Sequence, residues 1–333
     1  MSRLIGVLTI LTSFLCGWLW MDFLRTVDRP LGNVSAIYFE INKGQGLSDI
    51  ANSLHEAGIV RTPEWFQLHA LVEKTASKIK FGEYEIPAGT TLRQLLALFV
   101  SGKVRQHSVT LVEGWRFEQM RDRLRQHPAL DLQWANKTGQ EIMSLLGEPD
   151  KAAEGQFFPD TFFFTKGMSD ADLLKKAHRK MQTVLQSEWE RRDQGLPLAN
   201  AYDALVLASV VEKETARADE RARIAGVFIR RLQKGMLLQT DPTVIYGMGD
   251  AYQGNVSKDD LLRDTPYNTY VHPGLPPTPI AAPGLQAIQA VLHPEPGEAL
   301  YFVARGDGSH VFSSTLEEHV KAVETYQRQI PRE

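Results

Sequence analysis

The N-terminus carries the feature that most restricts the fold, an uncharged apolar run from Leu4 to Met21, LIGVLTILTSFLCGWLWM. A helix needs about 20 apolar residues to cross the hydrocarbon core of a bilayer, and this run is close to that length. Trp18 and Trp20, near its end, are typical of the aromatic belt at a membrane surface. A cleaved signal peptide is the alternative, but no small-x-small cleavage site follows the run. We therefore predict a retained, single transmembrane anchor.

Charge and cysteine content narrow the functions open to the rest of the chain. The 333 residues include 37 Lys and Arg against 40 Asp and Glu, a formal net charge of −3. Nucleic-acid binding needs a concentrated basic surface, which this balance does not indicate, so no nucleic-acid partner is expected. The single cysteine, Cys16, lies in the apolar run, so the folded part has no disulfide and no thiolate metal ligand. Arg3 precedes the run and Arg25 and Arg29 follow it, so charge does not orient the anchor.

A small module of mixed secondary structure follows the anchor. Its predicted elements are a strand at Ile37–Ile41, a helix from Leu47 that ends at Gly58, a helix from about Pro63, a strand at Phe81–Ile86 and a helix that ends at Gly102. The strands show alternating strand-forming residues, and the helices show apolar residues at helical spacing. Glycine at 58 and 102 and proline at 63 are typical helix-boundary residues. The pattern predicts an α+β module.

The remaining two thirds of the chain also mixes helices with short strands. A strand near Val109 precedes helices, an aromatic loop, EGQFFPDTFFF, and an apolar helical stretch that continues from Ala204 to Gly235. A long Pro- and Gly-rich loop then leads to a strand, a Gly-Asp-Gly turn, a second strand and a final helix. We predict an α+β fold divided into an anchor at 1–25, a small module at 26–105 and a larger domain at 106–333.

Several common catalytic motifs are absent from the sequence. It contains no HExxH helix, GxSxG elbow, P-loop or GxGxxG fingerprint, so metalloprotease, α/β-hydrolase, NTPase and dinucleotide-binding functions have no motif in support. Four histidines of the last third, His272, His293, His310 and His319, lack metal-ligand spacing and are interpreted as surface or loop-bracing residues. We therefore expect neither a metal nor a cofactor.

Carboxylates are the remaining candidates for chemistry. The predicted helix Tyr202–Thr215 is apolar over most of its circumference, so it is expected to be buried, and it ends with Glu212, Lys213 and Glu214. At about 100° per residue, Lys213 falls on the side opposite the core and both glutamates flank the core side. Burial there would raise a carboxyl pKa, as a general acid at neutral pH requires. Periodicity does not choose between the glutamates, and both could instead be helix-end solubilising residues or ion-pair partners of nearby arginines.

A set of motifs resembles one known family. ASVVEKET (208–215), ER (220–221), IAGVF (224–228), RL, GM (235–236), LQTDPTVIYG (238–247), PYNTY (266–270) and GLPP (274–277) are similar to the signature of the endolytic murein transglycosylases, the MltG or YceG-like family. The resemblance extends from about residue 37 to 325 and is most specific from 207 to 284. Arg230, Thr278 and Ala282 depart from the pattern, which affects details of substrate contacts.

The resemblance carries functional implications. It implies that Glu214 is the catalytic acid/base and that the segment 37–58 belongs to a LysM-like, glycan-binding module, although a simple spacer is an equal alternative. It also implies a bacterial inner-membrane protein with a cytoplasmic N-terminus and a periplasmic body. The implied reaction cleaves the MurNAc-GlcNAc bond of peptidoglycan and leaves a 1,6-anhydro-MurNAc end, because one carboxyl serves both proton transfers and no water is needed. Such cleavage of nascent strands could terminate their elongation.

The sequence also suggests which residues contact the substrate. Gln239, Asp241, Asn268 and Tyr270 are predicted to shape a glycan groove, because sugars are bound by planar polar groups and aromatic faces. For Asp241, an Asp-Pro turn is an equal alternative. The expected partners are peptidoglycan glycan strands and cell-wall synthases of the penicillin-binding class. Two alternative functions stay open, a non-catalytic glycan-binding scaffold for those synthases and a muramidase that releases a reducing end.

Overall fold

The structure, a computed structural model, describes residues 2–326, with side chains from residue 5 onward. The chain divides into two compact units. The first contains the N-terminal segment to residue 107 together with 163–167, and the second contains 108–162 and the chain from 168 onward. Both units combine helices with two-stranded sheets, so the predicted α+β class is confirmed.

The first unit contains four helices and one antiparallel strand pair, among other elements. Its elements are α1 (Ser2–Asp28), β1 (Ile37–Ile41), α2 (Leu47–Glu56), α3 (Pro63–Val72), a short 3-10 turn at Ala76–Lys78, β2 (Gly82–Ile86) and α4 (Leu92–Ser101). β1 and β2 pair antiparallel, from Ile37 opposite Ile86 to Ile41 opposite Gly82. Gly102 ends α4 with a φ of 69°, a left-handed conformation that glycine adopts at little cost. Strand and helix positions thus follow the sequence pattern closely.

The end of α1 belongs to the core of this unit. From Ile5 to Asp28 the helix has a mean hydropathy of 1.7, enough by length and composition to cross a membrane. Phe23 and Val27, by contrast, are only 3% and 1% exposed and pack among the module's apolar side chains. The Phe23 ring contacts Trp65 with centroids 5.7 Å apart, and the Trp65 indole donates a hydrogen bond to Asp22 at 3.1 Å. The helix therefore continues into the module beyond the apolar run.

The second unit is built mainly from helices. Strands β3 (Gln106–Thr110) and β4 (Thr161–Thr165), which form a two-stranded sheet, contain the boundary between the units. The further elements are α5 (Phe117–Arg125), α6 (Gly139–Leu145), α7 (Asp170–Glu190), α8 (Ala201–Glu214), α9 (Ala218–Gln233), α10 (Asp241–Met248), a 3-10 turn at Gly249–Ala251, α11 (Lys258–Leu262), α12 (Leu285–Leu292), β5 (Tyr301–Ala304), β6 (His310–Ser313) and α13 (Leu316–Tyr326). Helix α8 is central, because all of its residues from Ala204 to Val211 are buried against α7, α9 and α12.

One expectation from the sequence is wrong in detail. The apolar stretch 204–235 forms two helices, α8 and α9, with a break at 215–217. Thr215 has an extended backbone with φ −147° and ψ 136°, and its hydroxyl accepts a hydrogen bond from the Arg217 N–H at 3.0 Å. Threonine side chains that bond to nearby backbone groups compete with helix continuation. The break makes Glu214 the last residue of α8.

The C-terminal part forms a hairpin followed by a helix, as the strand, Gly-Asp-Gly and strand pattern predicts. β5 and β6 pair antiparallel, with Tyr301 opposite Ser313 and Ala304 opposite His310. His310 connects the hairpin to α9, because its ring Nδ1 lies 2.7 Å from a Glu220 carboxylate oxygen and its N–H donates to the other oxygen at 3.0 Å. The hairpin is thereby fixed beside the end of α8.

Candidate active site

Glu214 lines a cavity of about 510 Å³ within the second unit. One side of the cavity is formed by the end of α8, the segment from Leu238 to Asp241 and Tyr270. The hairpin and α13 also contribute residues to the cavity lining. Of the five residues that the sequence singled out, the cavity brings four together: Glu214, Gln239, Asp241 and Tyr270.

The environment of Glu214 favours its protonated form. Burial raises the pKa of this carboxyl to about 7, and the negative charge of Asp241 acts in the same direction. The Thr240 hydroxyl donates a hydrogen bond to Oε1, which favours the charged form, and so does the charge of Arg231. The negative end of the α8 dipole also disfavours a carboxylate at this position. Glu214 can therefore hold a proton near neutral pH and release it with little cost.

Glu212 has a different environment, although helix periodicity made the two glutamates equivalent. Its side chain is only 7% exposed, with one oxygen 3.8 Å from the Arg221 guanidinium. Its other oxygen accepts a hydrogen bond from the Gly284 N–H, at the start of α12, at 3.0 Å. Glu212 is absent from the residues that line the cavity. Its contacts connect α8 to α9 and α12 and indicate a structural role.

The segment after α9 holds Gln239 in an uncommon backbone conformation. Gln239 has a φ of 51°, a left-handed value that is costly for a residue with a side chain. Arg231 supports this turn, because its Nη1 donates to the carbonyls of Leu237 at 3.1 Å and Leu238 at 2.8 Å and to the Gln239 side chain at 3.4 Å. Backbone strain of this kind often occurs at functional sites. The turn presents the Gln239 side chain at the cavity.

Asp241 and Tyr270 form a hydrogen-bonded pair in the cavity wall. The Tyr270 hydroxyl donates to Oδ1 of Asp241 at 2.6 Å. Burial, and then this bond to Asp241, raise the pKa of the Tyr270 hydroxyl far above its usual range, so it stays protonated. Asp241 occupies the first turn of α10, where the helix dipole favours a negative charge. The pair therefore offers a carboxylate and an aromatic ring in a fixed arrangement.

Asn268 lies behind this wall and does not line the cavity. Its amide nitrogen donates to the carbonyls of Leu261 at 3.0 Å and Arg263 at 2.8 Å. Its amide oxygen accepts from the Tyr270 N–H at 2.9 Å. These bonds use both ends of the buried Asn268 amide. The arrangement indicates that Asn268 positions Tyr270 and does not contact a substrate directly.

Sequence reasoning did not assign roles to Thr240 and Arg231, which the structure places beside Glu214. Both belong to the motifs quoted above, LQTDP and RL, so their identity was visible but their function was not. The hairpin and α13 residues that line the cavity belong to no such motif. Within residues 2–326, no group of three or more His, Cys, Asp or Glu side chains is arranged to hold a metal ion.

Glu214, with its raised pKa, shares the cavity with amide, carboxylate and tyrosine side chains, and a buried carboxyl of this kind can act as a general acid at neutral pH. Comparison with known proteins identifies the family. Residues 39–325 match the model of the YceG-like family, and the chain belongs to that family. The resemblance noted in the sequence is thus confirmed.

Two curated relatives and one solved structure show the same kinship. The chain is 31% identical over 328 residues to the endolytic murein transglycosylase of Bacillus subtilis. The aligned region covers 92% of this chain and 88% of the relative. It is 25% identical over 336 residues to the endolytic murein transglycosylase of Streptococcus pneumoniae, covering 91% of this chain but only 60% of that longer protein. The crystal structure of a yceG-like protein from Listeria monocytogenes is 28% identical, has a TM-score of 0.54 and covers 86% of this chain and 99% of its own.

Proposed function

We propose that this protein is an endolytic peptidoglycan lytic transglycosylase, with Glu214 as its acid and base. The observation that carries the proposal is the position of Glu214, whose pKa is raised to about 7 in a cavity shared with Gln239, Asp241 and Tyr270. The names of the Bacillus and Streptococcus relatives support the same activity. An acid that titrates near neutral pH is suited to give up a proton and take one back within one reaction.

The proposed reaction breaks one bond and forms another without water. Protonated Glu214 gives its proton to the glycosidic oxygen as that oxygen leaves C1 of N-acetylmuramic acid. The 6-hydroxyl oxygen of the same sugar attacks C1, and its proton passes to the Glu214 carboxylate, which restores the acid. The products are a 1,6-anhydro end and a free hydroxyl on the departing strand. Since Thr240 is bonded to Oε1, Oε2 is the oxygen assigned to both proton transfers.

Asp241 is the carboxylate that a hydrolytic alternative would use. Ordinary glycosidases pair a general acid with a second carboxylate that acts as nucleophile or activates water. Here one oxygen of Asp241 accepts the Tyr270 hydroxyl, which supports a role in orienting the sugar instead of activating water. A muramidase would leave a reducing end, so the product separates the two reactions.

The location of the enzyme is part of the proposal. Helix α1 has the length and hydropathy of a single membrane anchor. We place the body on the periplasmic side of the bacterial inner membrane, where peptidoglycan is built and where penicillin-binding synthases would be its partners. Cleavage of nascent strands there would end their elongation. The LysM-like assignment of the module at 26–105 belongs to the same proposal, with the catalytic domain at 106–333.

The test is a digest of isolated glycan strands by the purified full-length protein in detergent, analysed by mass spectrometry. Internal cleavage with 1,6-anhydro ends is the expected result. Reducing ends would favour hydrolysis. Co-sedimentation with glycan but no released fragments would favour the non-catalytic scaffold.

A further inference from the structure

One side of the cavity lining comes from the C-terminal hairpin and α13. We call the aromatic pair at this side, Tyr301 of β5 and His319 of α13, the hairpin pair. Its neighbours in the cavity lining are Phe302, Val303, Ala304, His310, Leu316 and Val323. None of these residues belongs to the motifs that identified the family, and none has a role in the proton transfers proposed above.

The two rings of the hairpin pair are stacked. Their centroids are 5.2 Å apart and their planes differ by 21°. The Arg231 guanidinium carbon lies 5.1 Å from the Tyr301 centroid, which connects the pair to the same arginine that supports the Gln239 turn. Both rings are partly exposed, and both line the cavity. The pair is therefore a preformed aromatic surface in the cavity that contains Glu214.

The hairpin pair also has unused hydrogen-bonding capacity. Nδ1 of His319 is buried and has no hydrogen-bond partner among the described residues. An unpaired buried polar atom costs free energy that a ligand or water can recover. Burial, and then the charge of Arg231, lower the pKa of His319, so its ring is neutral at pH 7 and offers both a donor and an acceptor.

We propose that Tyr301 and His319 form a subsite for an N-acetylhexosamine unit of the glycan strand. The inference rests on the proposed function and extends it to a part of the cavity to which no role is assigned. A sugar ring has a C–H face that packs on an aromatic ring, and it has hydroxyl and acetamido groups at its edge that bond to neutral polar side chains. The hairpin pair supplies both kinds of contact from two adjacent side chains.

The charges around the pair favour a sugar over the carboxylates of a stem peptide. Arg231 is the only Lys or Arg among the described residues that line the cavity. Its guanidinium already donates to the carbonyls of Leu237, Leu238 and Leu300. With that cation engaged and His319 neutral, the pair is suited to an uncharged ligand.

The test separates binding from turnover. Binding of a peptide-free glycan oligosaccharide is measured by calorimetry on full-length protein carrying Glu214→Gln, with and without Tyr301→Ala or His319→Ala. We expect each added change to weaken binding about tenfold. In protein with Glu214 intact, the same changes should raise KM with kcat within about threefold. His293→Ala is the matched control, because His293 pairs with Asp193 at the surface, away from the cavity.

Two further variants keep the test valid if an alanine change disturbs the hairpin. Tyr301→Phe and His319→Phe retain both rings and remove the polar atoms, so each should give an intermediate loss of binding. An unchanged Kd in all four folded variants would overturn the subsite. Weakened binding only of peptide-bearing strands would overturn the choice of a sugar. If the parent protein binds the oligosaccharide through the pair but releases no product, the proposed activity fails while the subsite stands.

Discussion

Glu212 and Glu214 lie two positions apart at the end of α8, yet their carboxyls face different surroundings. Glu212 accepts the Gly284 N–H and lies 3.8 Å from Arg221, whereas Glu214 accepts the Thr240 hydroxyl at the cavity. The first carboxyl is held by structural partners, and the second has an oxygen available for proton transfer. This difference leads directly to a paired test.

Glu214→Gln should abolish glycan cleavage without unfolding the protein, and Glu212→Gln should retain most of it. Glutamine keeps the shape of the side chain but cannot transfer a proton, and general acid or base catalysis is worth about 10² to 10⁴ in rate. Release of 1,6-anhydro ends from isolated glycan strands measures the effect. Near-normal release by the folded Glu214 variant would remove this residue from the acid role. Loss confined to the Glu212 variant would move the acid by two positions.

The pH dependence of cleavage should respond in opposite directions to two neighbours of Glu214. Donation requires the protonated acid, so kcat/KM should fall as pH rises through about 7. Thr240→Val removes a bond that favours the charged form, so the pKa rises and this fall moves to higher pH. Asp241→Asn removes a negative charge that raises the pKa, so the fall moves to lower pH.

The control for these variants is Thr240→Ser, which keeps the hydroxyl and should leave the pH profile near that of the parent protein. Cleavage rates across pH 5 to 9 provide the profile. If neither Thr240→Val nor Asp241→Asn shifts it, the group that titrates in the profile is not Glu214.

A second buried acid, Glu154, should make stability depend on pH. It is 9% exposed and accepts the Phe117 N–H at 2.9 Å and the Tyr246 hydroxyl at 3.3 Å. Burial raises the pKa of Glu154 from 4.5 to about 7. The pKa of Glu154 is higher in the folded state than in the unfolded state. The stabilisation that its proton provides is therefore fully present below pH 4.5 and is lost as the pH rises through 7. The expected loss is about 3 kcal/mol over that range.

Glu154→Gln should reduce this pH dependence, because an amide stays neutral throughout. Denaturant unfolding of the second unit at pH 4.5 and at pH 8 measures how much the free energy of unfolding changes between the two pH values. Glu118→Gln is the control, since the Glu118 side chain is 59% exposed. An equal loss of stability in the parent and in Glu154→Gln would show that Glu154 does not hold a proton in the folded state.

The end of α1 should be essential for the stability of the first unit. Phe23 is 3% exposed in the module core, so Phe23→Ala should cost about 3–5 kcal/mol, the usual range for a buried phenylalanine. Leu24, the next residue, is 45% exposed and serves as control, with a much smaller expected effect for Leu24→Ala. Thermal unfolding in detergent, monitored by proteolysis of the module, measures the loss of stability in each variant. Equal effects of the two changes would mean that α1 is not part of the module core.

Local signals in the sequence were sufficient for many elements. The alternation in IYFEI, the glycine after α4 and the Gly-Asp-Gly turn before β6 each depend on neighbours in the chain, and the structure has a strand, a helix end and a hairpin at those places. The break at Thr215 was missed, because its extended conformation is fixed by a side-chain bond to Arg217 that apolar periodicity does not report.

The sequence by itself determined the apolar helix at the N-terminus, the mixed α+β character and, through its motifs, the family. It could not choose between Glu212 and Glu214 from periodicity, because that choice depends on which segments pack against the helix end. Gly284 lies 72 positions from Glu212 and Thr240 lies 26 positions from Glu214. Only the tertiary structure brings these partners together. It also bonds the Asn268 amide to backbone groups and places Tyr301 and His319 in the same cavity as the acid. Burial and pairing are properties of the packed chain, and they decide which of the two carboxyls lies at the cavity with an oxygen available for proton transfer.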